Sequence, residues 1–168
     1  MKNKNIRMMC ISGVLTALVF VVTAYLHIPT NNGYIHVGDG LIYLAACILP
    51  WQYAMATGAC GALLADCLTG FAIWAPGSVV IKSVTVLLFS KRGRRVMSFR
   101  NWLMLIPAAL ICSGGYYLYE SLIYGNFLSP LQGIPASLTQ SAASSILFVS
   151  LGLAIDKMDY KSKLIGGF

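Results

Sequence analysis

MMCISGVLTALVFVVTAYLHI, residues 8–28, is the stretch that decides the fold. It contains no Asp, Glu, Lys or Arg and is long enough to cross a bilayer core as a helix. Lys2, Lys4 and Arg7 precede it. A secretory signal also begins basic and then turns apolar, but a small-x-small cleavage site before His27 and Pro29 is missing. The run therefore reads as a retained first span, about residues 6–28. Its Ser12, Gly13, Thr16 and Ala17 form a small-residue register that lets another helix approach closely.

Further along, apolar stretches recur at about 39–49, 51–69, 74–90, 102–124 and 135–155, separated by Pro- and Gly-containing breaks. The second is short for a crossing, so it must tilt, be shielded by protein or continue into the third. The third is rich in Ala and Gly and is expected to pack centrally. Continuous apolar runs without period-two alternation indicate helices rather than a barrel. The expectation is an all-α, polytopic, single six-helix membrane domain over residues 1–168. Composition agrees: 58% of residues are hydrophobic and 10% charged, whereas soluble domains are about a quarter charged. No room is left for a soluble catalytic domain.

Placement of charge sets the expected orientation. Of the 12 basic residues, Lys91, Arg92, Arg94, Arg95 and Arg100 lie in one central loop, about residues 91–100. Lys157, Lys161 and Lys163 follow the last span, and Lys82 stands alone inside the fourth. With the N-terminus inside, six crossings put every basic cluster and both termini in the cytoplasm, in a bacterial-type plasma membrane. The net charge of +7 thus reflects topology and not nucleic-acid binding, for which no motif is present. Cys10, Cys47, Cys60, Cys67 and Cys112 lie in apolar segments without a metal-ligand pattern and read as buried, reduced side chains. No metal or other cofactor is expected.

An ionisable group inside a membrane needs a reason, since it costs about 2.5–3.5 kcal/mol or more at mid-span. Of the five acids, Asp156 and Asp159 fall in the tail, while Asp39, Asp66 and Glu120 fall in the outer halves of spans two, three and five. Lys82 lies at similar depth. Aromatic residues crowd the same side (Tyr34, Tyr43, Trp74, Tyr116, Tyr117, Tyr119, Tyr124), with Asn31, Asn32, His36, Asn126, Gln132 and Gln140 adding hydrogen-bonding groups. Aromatic walls with a few convergent polar groups suit a small flat heterocycle. Each member also has a plainer reading. The rings serve as interfacial anchors, Asp39 as a helix cap, Lys82 as the partner of Asp66 or Glu120, and His36 as a solvated loop residue. Recruited as acid, base or nucleophile, Asp39, Asp66 and Lys82 would make an enzyme, but no metal set, Ser–His pairing or phosphate cradle supports that. A solitary carrier or channel would use the carboxylates as a proton relay.

Three motifs go further: GYIHVGDGLIYLAA at 33–46, GALLADCLTG at 61–70 followed by Ala75-Pro76 and Ile81-Lys82, and Pro135, Ser137 and Gln140. Together they resemble the substrate-binding S components of energy-coupling factor (ECF) transporters, in the branch linked to hydroxymethylpyrimidine, pyridoxine and related vitamins. The resemblance spans about residues 10–155. It implies a six-helix fold that captures a vitamin-like substrate near the extracellular side, beneath the loop joining spans one and two. It implies partners as well: a transmembrane scaffold subunit and two cytoplasmic ATPases, with ATP hydrolysis on the partners. Residue chemistry and resemblance together give the expected substrate-binding set, Asn31, His36, Asp39, Asp66, Trp74, Lys82, Tyr116, Glu120, Ser137 and Gln140, and the resemblance implies that Gly13 and Ala17 face the scaffold. His36, Trp74 and Ser137 depart from the branch's usual Asn, Tyr and Asn, which leaves room for a queuine-like deazapurine or a riboflavin-like ligand. Lys2 stands where metal-transporting relatives carry His.

Overall fold

In the computed structural model, helices α1 (Lys2–Tyr25), α2 (Asp39–Ile48), α3 (Trp51–Leu68), α4 (Ala75–Leu88), α5 (Phe99–Leu103), α6 (Leu105–Tyr124) and α7 (Ile134–Lys157) make up most of the chain. The structure describes residues 2–30, 33–91, 93, 95–159 and 161. Asn31, one of the sequence-predicted site residues, lies outside them, as do Arg92, Arg94 and Lys163 of the basic clusters. The all-α expectation holds. Asn5–Tyr25, Phe99–Tyr124 and Ser129–Lys157 are long and apolar enough to cross a membrane, and Asp39–Ile48 and Ala75–Leu88 are shorter apolar helices.

Local sequence explains the boundaries. Leu49, with φ −87° and ψ 157°, is extended because the following Pro50 disfavours helical geometry, and this separates α2 from α3. Pro76 and Pro135 stand in the first turns of α4 and α7, where a missing N–H costs nothing. Gly125 ends α6 in the left-handed conformation, φ 61°, a geometry that favours glycine. The expected fifth span is divided at Met104 into α5 and α6. The expected outer loop after α1 is an antiparallel hairpin, β1 (His27–Thr30) with β2 (Gly33–His36), pairing His27 with His36 and Pro29 with Tyr34.

Shielding resolves the shortness of α2. All ten of its residues are buried, and it packs against α1, α3, α4 and α7. Ala- and Gly-rich α3 also packs centrally, as expected, against α1, α2 and α4. The small residues of α3 serve close approaches on one face. A side chain at Gly61 would come within 2.6 Å of Val19, and one at Gly58 within 3.0 Å of Ile42. Gly40 lets α2 lie against α7, since a Cβ there would meet the Ser144 carbonyl at 2.5 Å. Below α2's midpoint the core is aromatic: Tyr43 stacks on Phe89 at 4.6 Å, and Phe148 closes edge-on at 6.0 Å. Tyr43 is thus a core residue rather than part of an outer aromatic wall.

One end of the bundle gathers the basic loop and the last helix. Asp156 accepts from the Val96 and Met97 amides at 2.6 and 2.8 Å, and Lys161 donates to the Arg95 carbonyl at 3.2 Å. Asn101 ties the same loop to α2 and α4, donating to the Val96 and Ser90 carbonyls at 3.0 Å and to Cys47 Sγ at 3.2 Å. Cys47 and Cys112 are buried, whereas Cys10, Cys60 and Cys67 lie on the outer surface. The expectation of burial fails for those three because they sit on helix faces turned away from neighbouring helices.

Candidate functional site

Where α3 and α6 end, and α2, α4 and α7 begin, the helices part and the hairpin lies across the gap. The resulting cavity is lined by residues of the hairpin (Tyr34, Ile35, His36), α3 (Asp66), Trp74 with Ser78 and Lys82 on α4, Tyr116 and Glu120 on α6, and Ser137 with Gln140 on α7. It offers about 70 Å³ to the centre of a water-sized sphere. One water needs about 10–15 Å³ on that measure, so the space suits several waters or one small ring.

A buried ion pair forms the floor. Lys82 Nζ, on α4, lies 2.7 and 2.8 Å from the two oxygens of Asp39, the first residue of α2. Gln140 Nε2, on α7, donates to Asp39 Oδ2 at 3.1 Å. Cys112 Sγ is 3.6 Å from Lys82 Nζ, which also sits 5.1 Å from the centre of the Tyr116 ring. The side chains of the pair are 2% and 0% exposed. The helix-cap reading of Asp39 is displaced: Gly38 occupies the N-cap without a side-chain cap, and the carboxylate is engaged by Lys82 and Gln140. Lys82 pairs with Asp39 rather than with Asp66 or Glu120.

The hairpin closes the opposite wall. Tyr34 donates a short hydrogen bond to Asp66 Oδ1, and its ring packs on Phe71 at 4.7 Å and beside His36 at 5.5 Å. Burial, and then the charge of Asp66, push the Tyr34 hydroxyl well above its usual range, so it stays a protonated donor. His36 is buried rather than solvated. Its Nδ1 accepts from the Gly38 amide at 3.1 Å, which places the proton of a neutral ring on Nε2. Burial lowers its pKa to about 4, with Lys82 and His27 acting in the same direction and Asp39 against them. Trp74 Nε1 donates to Glu120 Oε1 at 3.3 Å, and the Ser78 and Tyr116 hydroxyls are 2.9 Å apart.

His36, Asp66, Trp74, Lys82, Tyr116, Glu120, Ser137 and Gln140 therefore share one cavity, with Asp39 behind Lys82. Tyr34, placed by the sequence among the aromatics on this side but not in the substrate-binding set, is two positions from His36 on a strand, hence on the same face. Ser78 is one helical turn from Lys82. Those two spacings were usable signals; Phe71 had none. Gly13 and Ala17 are exposed on α1, and a side chain at Gly13 would touch nothing within 4 Å. Their neighbours Ser12 and Thr16 face inward: Ser12 Oγ is 2.9 Å from Thr57 Oγ1. Among the described residues no group of three His, Cys, Asp or Glu side chains converges as a metal site.

Apolar helices around a polar cavity, closed by a short hairpin, define a helical membrane protein that binds a small molecule. Residues 3–157 match the ECF-type riboflavin transporter S component family, and the chain belongs to it. The resemblance read from the motifs is thereby borne out, and the chain is a transporter component rather than an enzyme. It is also 25% identical over 160 residues, 94% of this chain and 92% of the relative, to the thiamine precursor transporter HmpT of Lactococcus lactis subsp. cremoris (strain MG1363).

Proposed function

We propose that this chain is the substrate-capturing subunit of an ATP-driven ECF-type importer, holding a small heterocyclic vitamin or related micronutrient in the hairpin-capped cavity. The observation that carries the reading is the convergence of His36, Asp66, Trp74, Lys82, Tyr116, Glu120 and Gln140 from five separate parts of the fold on one partly open cavity. Aromatic walls with a few convergent polar groups are the usual make-up of a small-molecule site. Six helices cross the plasma membrane with both termini in the cytoplasm. In support, the basic loop and the end of α7 are fastened together through Asp156, at the end remote from the cavity. The cavity accordingly opens outward.

ATP is hydrolysed by two cytoplasmic partner subunits, and the exposed Gly13–Ala17 face of α1 meets the transmembrane scaffold. The size of the cavity favours a single-ring ligand. A tricyclic riboflavin-like molecule or a bicyclic queuine-like deazapurine requires the hairpin to open further.

Native mass spectrometry of the purified full chain tests the reading through one retained small molecule. Uptake of that molecule should require co-expressed scaffold and ATPases. Flux through the chain alone in liposomes would establish a solitary carrier instead.

A further inference from the structure

At the end of the bundle remote from the substrate cavity lies a second cavity, of about 320 Å³. It is lined by Arg95 from the basic loop and by Ile155, Asp156, Asp159 and Lys161 at the end of the last helix. The two acids are engaged or screened. Asp156 gives one oxygen to the Val96 amide at 2.6 Å and the other to the Met97 amide at 2.8 Å, so backbone dipoles already answer its charge. Asp159 is exposed, where water and salt screen it.

Lys161 is placed differently. It is 2% exposed, and its Nζ donates to the Arg95 carbonyl at 3.2 Å. No carboxylate among the described residues lies within ion-pair distance of it. An ammonium has three N–H donors, and burying a charge without partners is costly. Burial accordingly lowers the Lys161 pKa, with Cys47 and Asp156 acting against it. Lys161 lines the cavity, so acceptors for its other donors can reach it from there. The surroundings favour an anion: five basic residues at 91–100 and three at 155–163 face two acids. Ile155 in the lining, and Leu153 and Met158 exposed on the same stretch of chain, add apolar surface suited to an acyl chain.

We infer that Arg95 and Lys161 form a binding site for a phosphate oxyanion, supplied at this end of the bundle by the headgroup of an anionic phospholipid. The orientation proposed above puts that headgroup in the cytoplasmic leaflet, where basic pockets beside spanning helices take anionic lipids. Arg95, exposed, offers a planar fork that fits two phosphate oxygens, and Lys161 a point charge from the buried side. A phosphate held between them ties the basic loop to the end of α7, beside the clamp that Asp156 makes with Val96 and Met97.

Phosphatidylglycerol and phosphatidylcholine, added at equal concentration to the detergent-solubilised full chain and counted by native mass spectrometry, provide the test. Phosphatidylglycerol should be retained preferentially. Arg95→Gln, on an exposed side chain, should cut that preference about fivefold, the worth of one basic residue at a lipid surface. Lys161→Met should cut it at least as far, whereas Lys157→Gln, outside the lining, should leave it largely unchanged. Millimolar inorganic phosphate is the second arm. If it displaces phosphatidylglycerol, or raises the melting temperature of the unaltered chain but not of Arg95→Gln, the oxyanion site is supported with a soluble source. Equal retention of the two lipids without a response to phosphate overturns the site. So does a preference that Arg95→Gln leaves untouched, or that Lys157→Gln lowers as much, since only a diffuse positive field would then remain.

Discussion

Because Asp39 and Lys82 neutralise each other beneath the cavity, removing one partner should do far more damage than removing both. Lys82→Met keeps the length and most of the volume of the side chain but leaves the Asp39 carboxylate buried. Its remaining donors are then Gln140 Nε2 at 3.1 Å and the weak Cys112 thiol at 3.7 Å. Asp39→Asn leaves the ammonium, 1% exposed, facing an amide and the Tyr116 ring. Breaking a buried pair in this way costs about 3–5 kcal/mol. At about 2–4 °C per kcal/mol for a chain of this size, each single variant should melt roughly 6–20 °C lower. The double variant contains no buried charge at this position and should recover most of the loss, giving a coupling of several kcal/mol in the cycle. The assay is the apparent melting of the four detergent-solubilised proteins, read by tryptophan fluorescence. Additive losses would refute the pairing. The same logic makes Lys82→Ala a poor probe of ligand contact, since it would weaken the fold first.

Three other outcomes are expected. Tyr34→Phe removes the donor that fastens the hairpin to Asp66 while preserving the ring on Phe71, so a bound ligand should leave faster. The melting temperature should fall by the few degrees that about 1–3 kcal/mol of lost hydrogen bonding implies. Stopped-flow displacement measures the departure, and an unchanged rate would detach the hairpin from retention. His36 is held down from 6.5 to about 4, so the unfolded chain binds the extra proton between those values. Stability should therefore be full above about pH 6.5 and decline as pH falls toward 4, by about 3 kcal/mol at 1.36 kcal/mol per pKa unit. Melting followed over that range should show this decline, and His36→Gln should flatten it. Asp156→Asn weakens two charge-assisted bonds to the Val96 and Met97 amides, each worth about 1.5–3 kcal/mol. Hydrogen exchange over residues 95–98 should rise markedly while the cavity end stays protected.

Much of the fold was legible because lipid leaves the backbone few options. A long apolar run must be helical, so α1, α6 and α7 follow from hydropathy, and Pro50, Gly125 and the Pro-initiated helices mark their own boundaries. The hairpin was not legible. Its strands are four residues each, too short for an alternating pattern to stand out, and Pro29 lies inside the first. Nor was the central place of α2. Its sequence allowed tilting, shielding or fusion with α3, and the choice depended on Gly40 and Gly58 admitting neighbours from α7 and α3.

For the site, sequence carries depth but not azimuth. Counting residues from a helix end placed Asp39, Asp66, Lys82 and Glu120 near one level, because each residue rises about 1.5 Å. Which of them meet depends on how far each helix is rotated about its axis, and that is set by packing. Lys82 is aimed at the start of α2 by the α3–α4 contact, where Gly58 leaves space: a side chain there would approach Lys82 Cβ at 3.7 Å. Asp66 faces the hairpin instead, one turn above, where Tyr34 takes it. The rotation of each helix thus divides the three acids into one that pairs with Lys82 and two that line the cavity. Equal depth made them look like equivalent ligands, and their different neighbours give them different work.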